Sequence, residues 1–300
     1  MQRILVIRLG ALGDVVLSFP AFAAISAHHA GDEVTLLTAG PYARLTKSAP
    51  WFDRVMVDRR PAWWNLAGLW RLARRLRGFD LVYDLQTSTR SSRYFWLAGR
   101  PRWSGIAAGC ALPHANPRRD AMHTLERQQD QLRMAGITRF APADLSWIRG
   151  ASFDLPARYA LLVPGAAPRR PAKRWPVERF AELAVVLAAR GLSPVVLGST
   201  SEAGLAQTIR AACPATIDLT GQTALADLAG LARGAALAVG NDTGPMHMLA
   251  AVGCPSVVLF SAASDPALTA PRGPGGSWPM VLRSADLADL PVARVAAALP

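Results

Sequence analysis

Short apolar runs alternate with longer amphipathic stretches along the whole chain, a pattern that predicts an α/β protein built on parallel sheets. The run at 3–8 (RILVIR) reads as a first strand, followed by a glycine loop at 10–13. A helix is expected from about residue 14 through 28, tolerating or kinking at Pro20. Strands follow at 33–38, 54–57 and 81–84, with helices at 64–77 and 124–136, the last closed by Gly136. The second half repeats the plan. Strands are expected at 160–163, 194–197, 237–240 and 256–260. Helices are expected at 177–190, 202–212, 225–233, 245–252 and 290–299.

Weakly periodic residues carrying Pro142, Gly150 and Pro156 place the break between halves at 141–155. Two domains are expected, 1–150 and 151–300, and 300 residues suffice for two cores. The simplest architecture is two Rossmann-like domains facing each other across a cleft. Ligands in such sheets sit at the carboxyl ends of the strands, so the loops after strands are where chemistry is sought.

Charge separates the halves. Residues 1–150 hold 21 Lys and Arg against 11 Asp and Glu, whereas residues 151–300 hold 12 against 10. A basic first half fits an anionic partner, with nucleic acid, phospholipid and acidic glycan all open, or an arginine-rich solvated surface. Cys110, Cys213 and Cys254 lie far apart without CxxC or metal-ligand spacing, so neither a disulfide framework nor a zinc site is expected. Arg8, Gly10, Gly13 and Asp14 make the amino-terminal apolar run unlike a signal peptide, which predicts a cytoplasmic protein.

Four segments carry candidate chemistry. Gly10-Ala11-Leu12-Gly13-Asp14 follows the first strand, where the glycines permit a tight turn and Asp14 faces the ligand edge or caps the next helix. GxGxxG and GxxxxGK[ST] are absent, and no acid follows strand two to hold a ribose, which counts against a dehydrogenase or a P-loop kinase. Gly240-Asn241-Asp242-Thr243-Gly244-Pro245-Met246-His247 brings a strand into a polar turn and a helix start, a ready diphosphate site. Asp242 and Thr243 are alternatively ordinary caps, and His247 a core histidine. The loop 169–175 (RRPAKRW) holds Lys173, one of two lysines, as a phosphate clamp or a solvated charge run. The stretch 64–77 has an apolar stripe of Leu66, Leu69, Trp70, Ala73 and Leu76 opposite Arg71, Arg74, Arg75 and Arg77. That pattern suits either an interfacial helix or a helix packed on a sheet.

Taken together, 4–14 (ILVIRLGALGD), 173–176 (KRWP) with Phe180, and 240–247 (GNDTGPMH) resemble glycosyltransferase family 9. The resemblance extends through 82–85, Thr87 to Arg90, 123–136 and Gly253-Cys254-Pro255. It implies the GT-B fold, with an acceptor-binding first domain and a nucleotide-sugar-binding second domain. It also implies an inverting transfer of heptose from ADP-heptose to the lipopolysaccharide inner core. By resemblance Asp14 is the general base, and Lys173 contacts donor phosphate. Asp242, Thr243, Gly244 and His247 form the donor turn, and Glu202 meets the ribose. No metal or other cofactor is implied, and the lipid-linked acceptor puts the enzyme peripherally at the inner membrane. The loop Gly165-Ala166-Ala167-Pro168 departs from the family by lacking hydroxyl or amide side chains, and Ser261 stands where a glycine is common. Another sugar nucleotide or acceptor is the nearest alternative. Outside that class stand a non-transferring nucleotide-binding protein and an oxidoreductase; no nucleic-acid partner is expected, because the basic stretches carry no recognisable reader module.

Overall fold

A computed structural model describes all 300 residues, which divide into two compact units, Met1–Trp147 and Ile148–Pro300. The first contains β1 (Arg3–Ile7), α1 (Leu12–Leu17), α2 (Phe19–His28), β2 (Glu33–Ala39), α3 (Gly40–Lys47) and β3 (Arg54–Asp58). It continues with α4 (Leu66–Leu76), β4 (Leu81–Asp84), α5 (Thr89–Leu97), β5 (Arg102–Gly105), β6 (Leu112–Pro113) and α6 (Thr124–Met134). Its parallel sheet runs β3-β2-β1-β4-β5-β6. Helices on both faces explain why Ile4, Leu5, Val6 and Ile7 are all inaccessible and why β1 reads as a continuous apolar run.

The second unit contains β7 (Tyr159–Val163), α7 (Val177–Ala189), β8 (Ser193–Val196), α8 (Ala203–Ala212), β9 (Ile217–Asp218) and α9 (Asp227–Gly234). Then come β10 (Leu237–Asn241), α10 (Gly244–Ala251), β11 (Ser256–Phe260), α11 (Pro266–Thr269), β12 (Met280–Arg283) and α12 (Val292–Ala297). Its sheet runs β12-β11-β10-β7-β8-β9, again parallel. Numbered within each unit, both sheets follow the 3-2-1-4-5-6 order of the dinucleotide-binding fold. The strand order therefore reverses between β1 and β4 in the first unit, and between β7 and β10 in the second. A ligand crevice opens at the carboxyl ends of such pairs.

The expected long helix at 14–28 is two helices. It breaks at Ser18 rather than at Pro20, because Pro20 occupies the first turn of α2, where its missing N–H costs nothing. Helices α3 and α5, the strand β5, the edge strands β6, β9 and β12, and the short helix α11 add to the expected elements. In α4 the apolar stripe splits: Leu76 enters the core of the first unit beside Leu72, which the stripe did not include, whereas Leu66 and Trp70 stay exposed. Trp175 is buried in the second core, its indole N–H donating to the Leu290 carbonyl at 2.9 Å. The loop 169–175 is therefore solvated only in its first part. All three cysteines are free and buried.

Candidate functional site

In the first unit the chain leaves β1 with Arg8, whose side chain turns inward at 3% exposure. Its Nη1 donates to the Leu85 carbonyl beyond β4 at 2.6 Å, and its Nε to the Asp14 carbonyl at 3.2 Å. Its Nη2 lies 3.0 Å from Asp14 Oδ1. Burial pushes the guanidinium pKa down, and the Asp14 charge pushes it back up. The second Asp14 oxygen accepts the Ala11 N–H at 3.0 Å, so the capping role expected of Asp14 is present. Two contacts still leave lone pairs on a carboxylate, and this side chain is 39% exposed. Capping and access to a ligand coexist.

Gly10 stands at φ +120°, and a Cβ there would collide with the Tyr42 ring, so the turn needs glycine. Gly13, expected in the same loop, lies instead in the first turn of α1, because helical geometry begins at Leu12. The loop is tied to its neighbours. Arg60 Nη2 donates to the Leu9 carbonyl at 3.1 Å, and Leu9 N–H to Gln86 Oε1 at 2.8 Å. Arg60 and Thr87 both adopt positive φ, at 48° and 42°, a strained state for side-chain-bearing residues that clusters at binding sites. Arg127 of α6 lies within electrostatic reach of Asp14 and Arg8. The carboxylate thus sits among cations.

Asp84, at the end of β4, is fully buried and accepts the Gln86 and Thr87 N–H groups at 3.1 and 3.0 Å. Burial pushes its carboxyl up to about 6, against the pull of Ser91, those amides and Arg8. Its folded value exceeds its unfolded one, so the native state holds the proton more tightly. Stability should therefore fall as pH rises from about 4 through about 6, by about 3 kcal/mol for a difference near two pH units. Denaturant melts across that window check the slope, which Asp84→Asn should flatten.

In the second unit the loop after β7 and the turn after β10 meet. Lys173 Nζ pairs with Asp242 Oδ2, both side chains being nearly buried, at 11% and 6% exposure. Ser264 Oγ donates to the same oxygen at 2.7 Å, and His247 Nε2 stands 3.9 Å from Asp242 Oδ1. Thr243 is the N-cap residue of α10 but does not cap it with its side chain. Its hydroxyl donates back to the Asn241 carbonyl at 3.3 Å. With Asp242 also engaged elsewhere, ordinary capping does not account for this turn. Gly244 opens α10, whose first-turn amides and dipole favour an anion.

Asn241 links the two loops. Its Oδ1 accepts the Trp175 N–H at 3.0 Å, and its Nδ2 donates to the Pro164 carbonyl at 2.8 Å. Arg174 fixes the loop from the other side, donating to the Ala166 carbonyl at 2.8 Å. Glu202, just before α8, caps Ser199 through N–H and Oγ at 2.7 and 2.8 Å. The same carboxylate lies so close over Gly165 that any Cβ there would collide with it. Gly165 thus lacks a side chain where Glu202 crowds against it. Lys173, Asp242 and His247 converge directly, while Glu202 joins them only through Gly165 and Asn241.

Four residues of these sites were expected to play no part: Arg8, Asn241 and Arg174 lie within the motifs without a role read for them, and Ser264 lies outside them. Arg8 had a signal, a charge at the end of an otherwise apolar strand. Ser264 had none. No group of three or more His, Cys, Asp and Glu side chains is arranged to hold a metal ion.

The model of glycosyltransferase family 9 (heptosyltransferase) matches residues 112–276. Over 99 residues the chain is 35% identical to lipooligosaccharide heptosyltransferase 2 of Haemophilus influenzae, spanning 31% of this chain and only 29% of that protein. With the lipopolysaccharide core heptosyltransferase OpsX of the same organism it shares 23% identity over 90% of this chain and 82% of that one. The solved structure of Escherichia coli ADP-heptose LPS heptosyltransferase II superposes with a TM-score of 0.75 at 23% identity, covering 99% of this chain and 97% of that one. At that identity the superposition speaks for the fold, which is GT-B. The family match covers more than half of the chain, and on that ground the chain belongs to glycosyltransferase family 9.

Proposed function

We propose that the protein transfers heptose from ADP-heptose to the inner core of lipopolysaccharide with inversion at the anomeric carbon, Asp14 acting as general base. The acceptor hydroxyl oxygen attacks the anomeric carbon and gives its proton to the Asp14 carboxylate. The bond from that carbon to the diphosphate oxygen breaks as the new one forms, and ADP departs with the electron pair. The first unit serves the acceptor and the second the donor. Lys173 and the first-turn amides of α10, with Asp242, Thr243, Gly244 and His247, receive the diphosphate, and Glu202 the ribose. No metal is assigned a role. The acceptor is lipid-linked, so the enzyme works at the cytoplasmic surface of the inner membrane.

The observation that carries this reading is the Asp14 carboxylate. It is fixed by Arg8 and the Ala11 N–H, yet exposed at the strand-order reversal of its sheet. The donor is supported by the likeness to the Escherichia coli ADP-heptose LPS heptosyltransferase II. Isothermal titration with ADP, UDP and GDP tests the nucleotide. ADP should bind tightest, and a preference for UDP or GDP would remove the heptose assignment in favour of another sugar nucleotide.

A further inference from the structure

Folding of the first unit leaves an unusual group of side chains in solvent. Trp64 is 85% exposed, Leu66 76% and Trp70 63%. Leu66, Trp70 and Arg74 follow one another at single-turn spacing along α4, opposite the buried Leu72 and Leu76. The Arg74 guanidinium lies 5.6 Å from the Trp70 ring centre. Beside it, Arg71 and Arg75 return hydrogen bonds to the Ala67 and Val57 carbonyls. Helix α5 packs against α4 and repeats the pairing: Trp96 is 51% exposed with Arg100 stacked 4.0 Å from its ring centre. Residues 59–102 hold ten arginines and two acids, Asp80 and Asp84. Asp84 is buried, and Asp80 accepts the Arg3 N–H. Little on this stretch neutralises the arginines.

We infer that the outward face of α4, with Trp96 and Arg100 of the α5 region, is a docking surface for anionic phospholipid headgroups. Tryptophan rings settle at the level of headgroups, apolar body inward and N–H toward water. The planar guanidinium forks match lipid phosphates bidentately. Exposed apolar residues beside a basic face are the recipe for a helix lying in the interface. A soluble anion would engage the arginines but leave Trp64, Leu66 and Trp70 without a role. A second copy of the same face would bring like charges together. The inference deepens the reading of a lipid-linked acceptor, but vesicle binding requires neither donor nor acceptor.

The test is sedimentation of the full-length protein with large unilamellar vesicles that contain no glycolipid. Vesicles of phosphatidylcholine alone are compared with vesicles mixed with phosphatidylglycerol. Binding should require the anionic lipid and weaken with salt. Arg71→Glu, Arg74→Glu and Arg75→Glu together should weaken it by about tenfold or more. Because Arg75 also holds the Val57 carbonyl, Trp64→Ser with Trp70→Ser serves as the second variant and should likewise lose binding. Unchanged ADP affinity and thermal melting in both variants identify the loss as local. The inference is overturned by equal binding to neutral vesicles, by either variant binding like the parent, or by an oligomer that the tryptophan variant converts to monomer. Displacement from vesicles by RNA at equal charge concentration would also overturn it. Vesicle binding without ADP binding would instead sink the proposed function and leave this surface standing.

Discussion

Asp14→Asn is expected to lower the transfer rate by roughly 10²–10⁴-fold while leaving ADP affinity unchanged. The amide keeps an oxygen for one of the two contacts, to Arg8 Nη2 or to the Ala11 N–H, so the turn after β1 should survive. What it cannot do is accept a proton from the attacking hydroxyl. Arg8 would then carry a buried charge without its partner, so some stability should be lost as well, on the order of 1–3 kcal/mol. Single-turnover rates and ADP titration on one preparation separate the outcomes. A variant that transfers at a tenth of the parent rate or better would remove Asp14 as base. One that melts with loss of ADP binding would show a structural role only.

Asp242→Ala should be the most damaging single change in the second unit. It strands the Lys173 ammonium and the Ser264 hydroxyl, both of which point at one Asp242 oxygen. Removing one partner of a buried ion pair costs about 3–5 kcal/mol, a fall in melting temperature on the order of 10 °C for a domain of this size. The double change Lys173→Met with Asp242→Leu removes both charges and should recover much of that stability. It should not recover ADP binding, because the cation proposed to receive the diphosphate is gone. Recovery of both would make the pair purely structural. Calorimetry and titration of the parent, the Asp242→Ala variant and the double variant decide this.

The sequence made the sheet centres legible because they are apolar on both faces. β4 and β11 have the expected bounds, Leu81–Asp84 and Ser256–Phe260. β6 and β9 were not, since two residues each carry no periodicity. α3 begins Gly40-Pro41, a pair that reads as a turn until Pro41 is seen within the helix's first turn. α5 is rich in serine and threonine, and its place is set by tertiary partners. Ser88 caps it, and Arg90 and Arg93 stack on Trp63 from a different segment.

At the sites, residue types at strand ends were readable, but their pairings were not. Lys173 and Asp242 lie 69 positions apart, and only the order β10-β7 brings their loops together. Ser264 arrives from a third loop with no pattern to mark it. Arg8 was visible as a charge breaking an apolar run, but only burial shows that it holds Asp14.

The central proposal is the transfer of heptose from ADP-heptose with Asp14 as the base. Incubating the purified protein with ADP-heptose and a truncated, heptose-free lipid A acceptor, then following product mass by mass spectrometry and anomeric configuration by NMR, addresses it directly. The expected result is an acceptor heavier by one heptose, with ADP released in equal amount and inverted anomeric configuration. An acceptor left unmodified by ADP-heptose but glycosylated from a UDP- or GDP-sugar would contradict the donor assignment. A retained configuration would contradict the role given to Asp14.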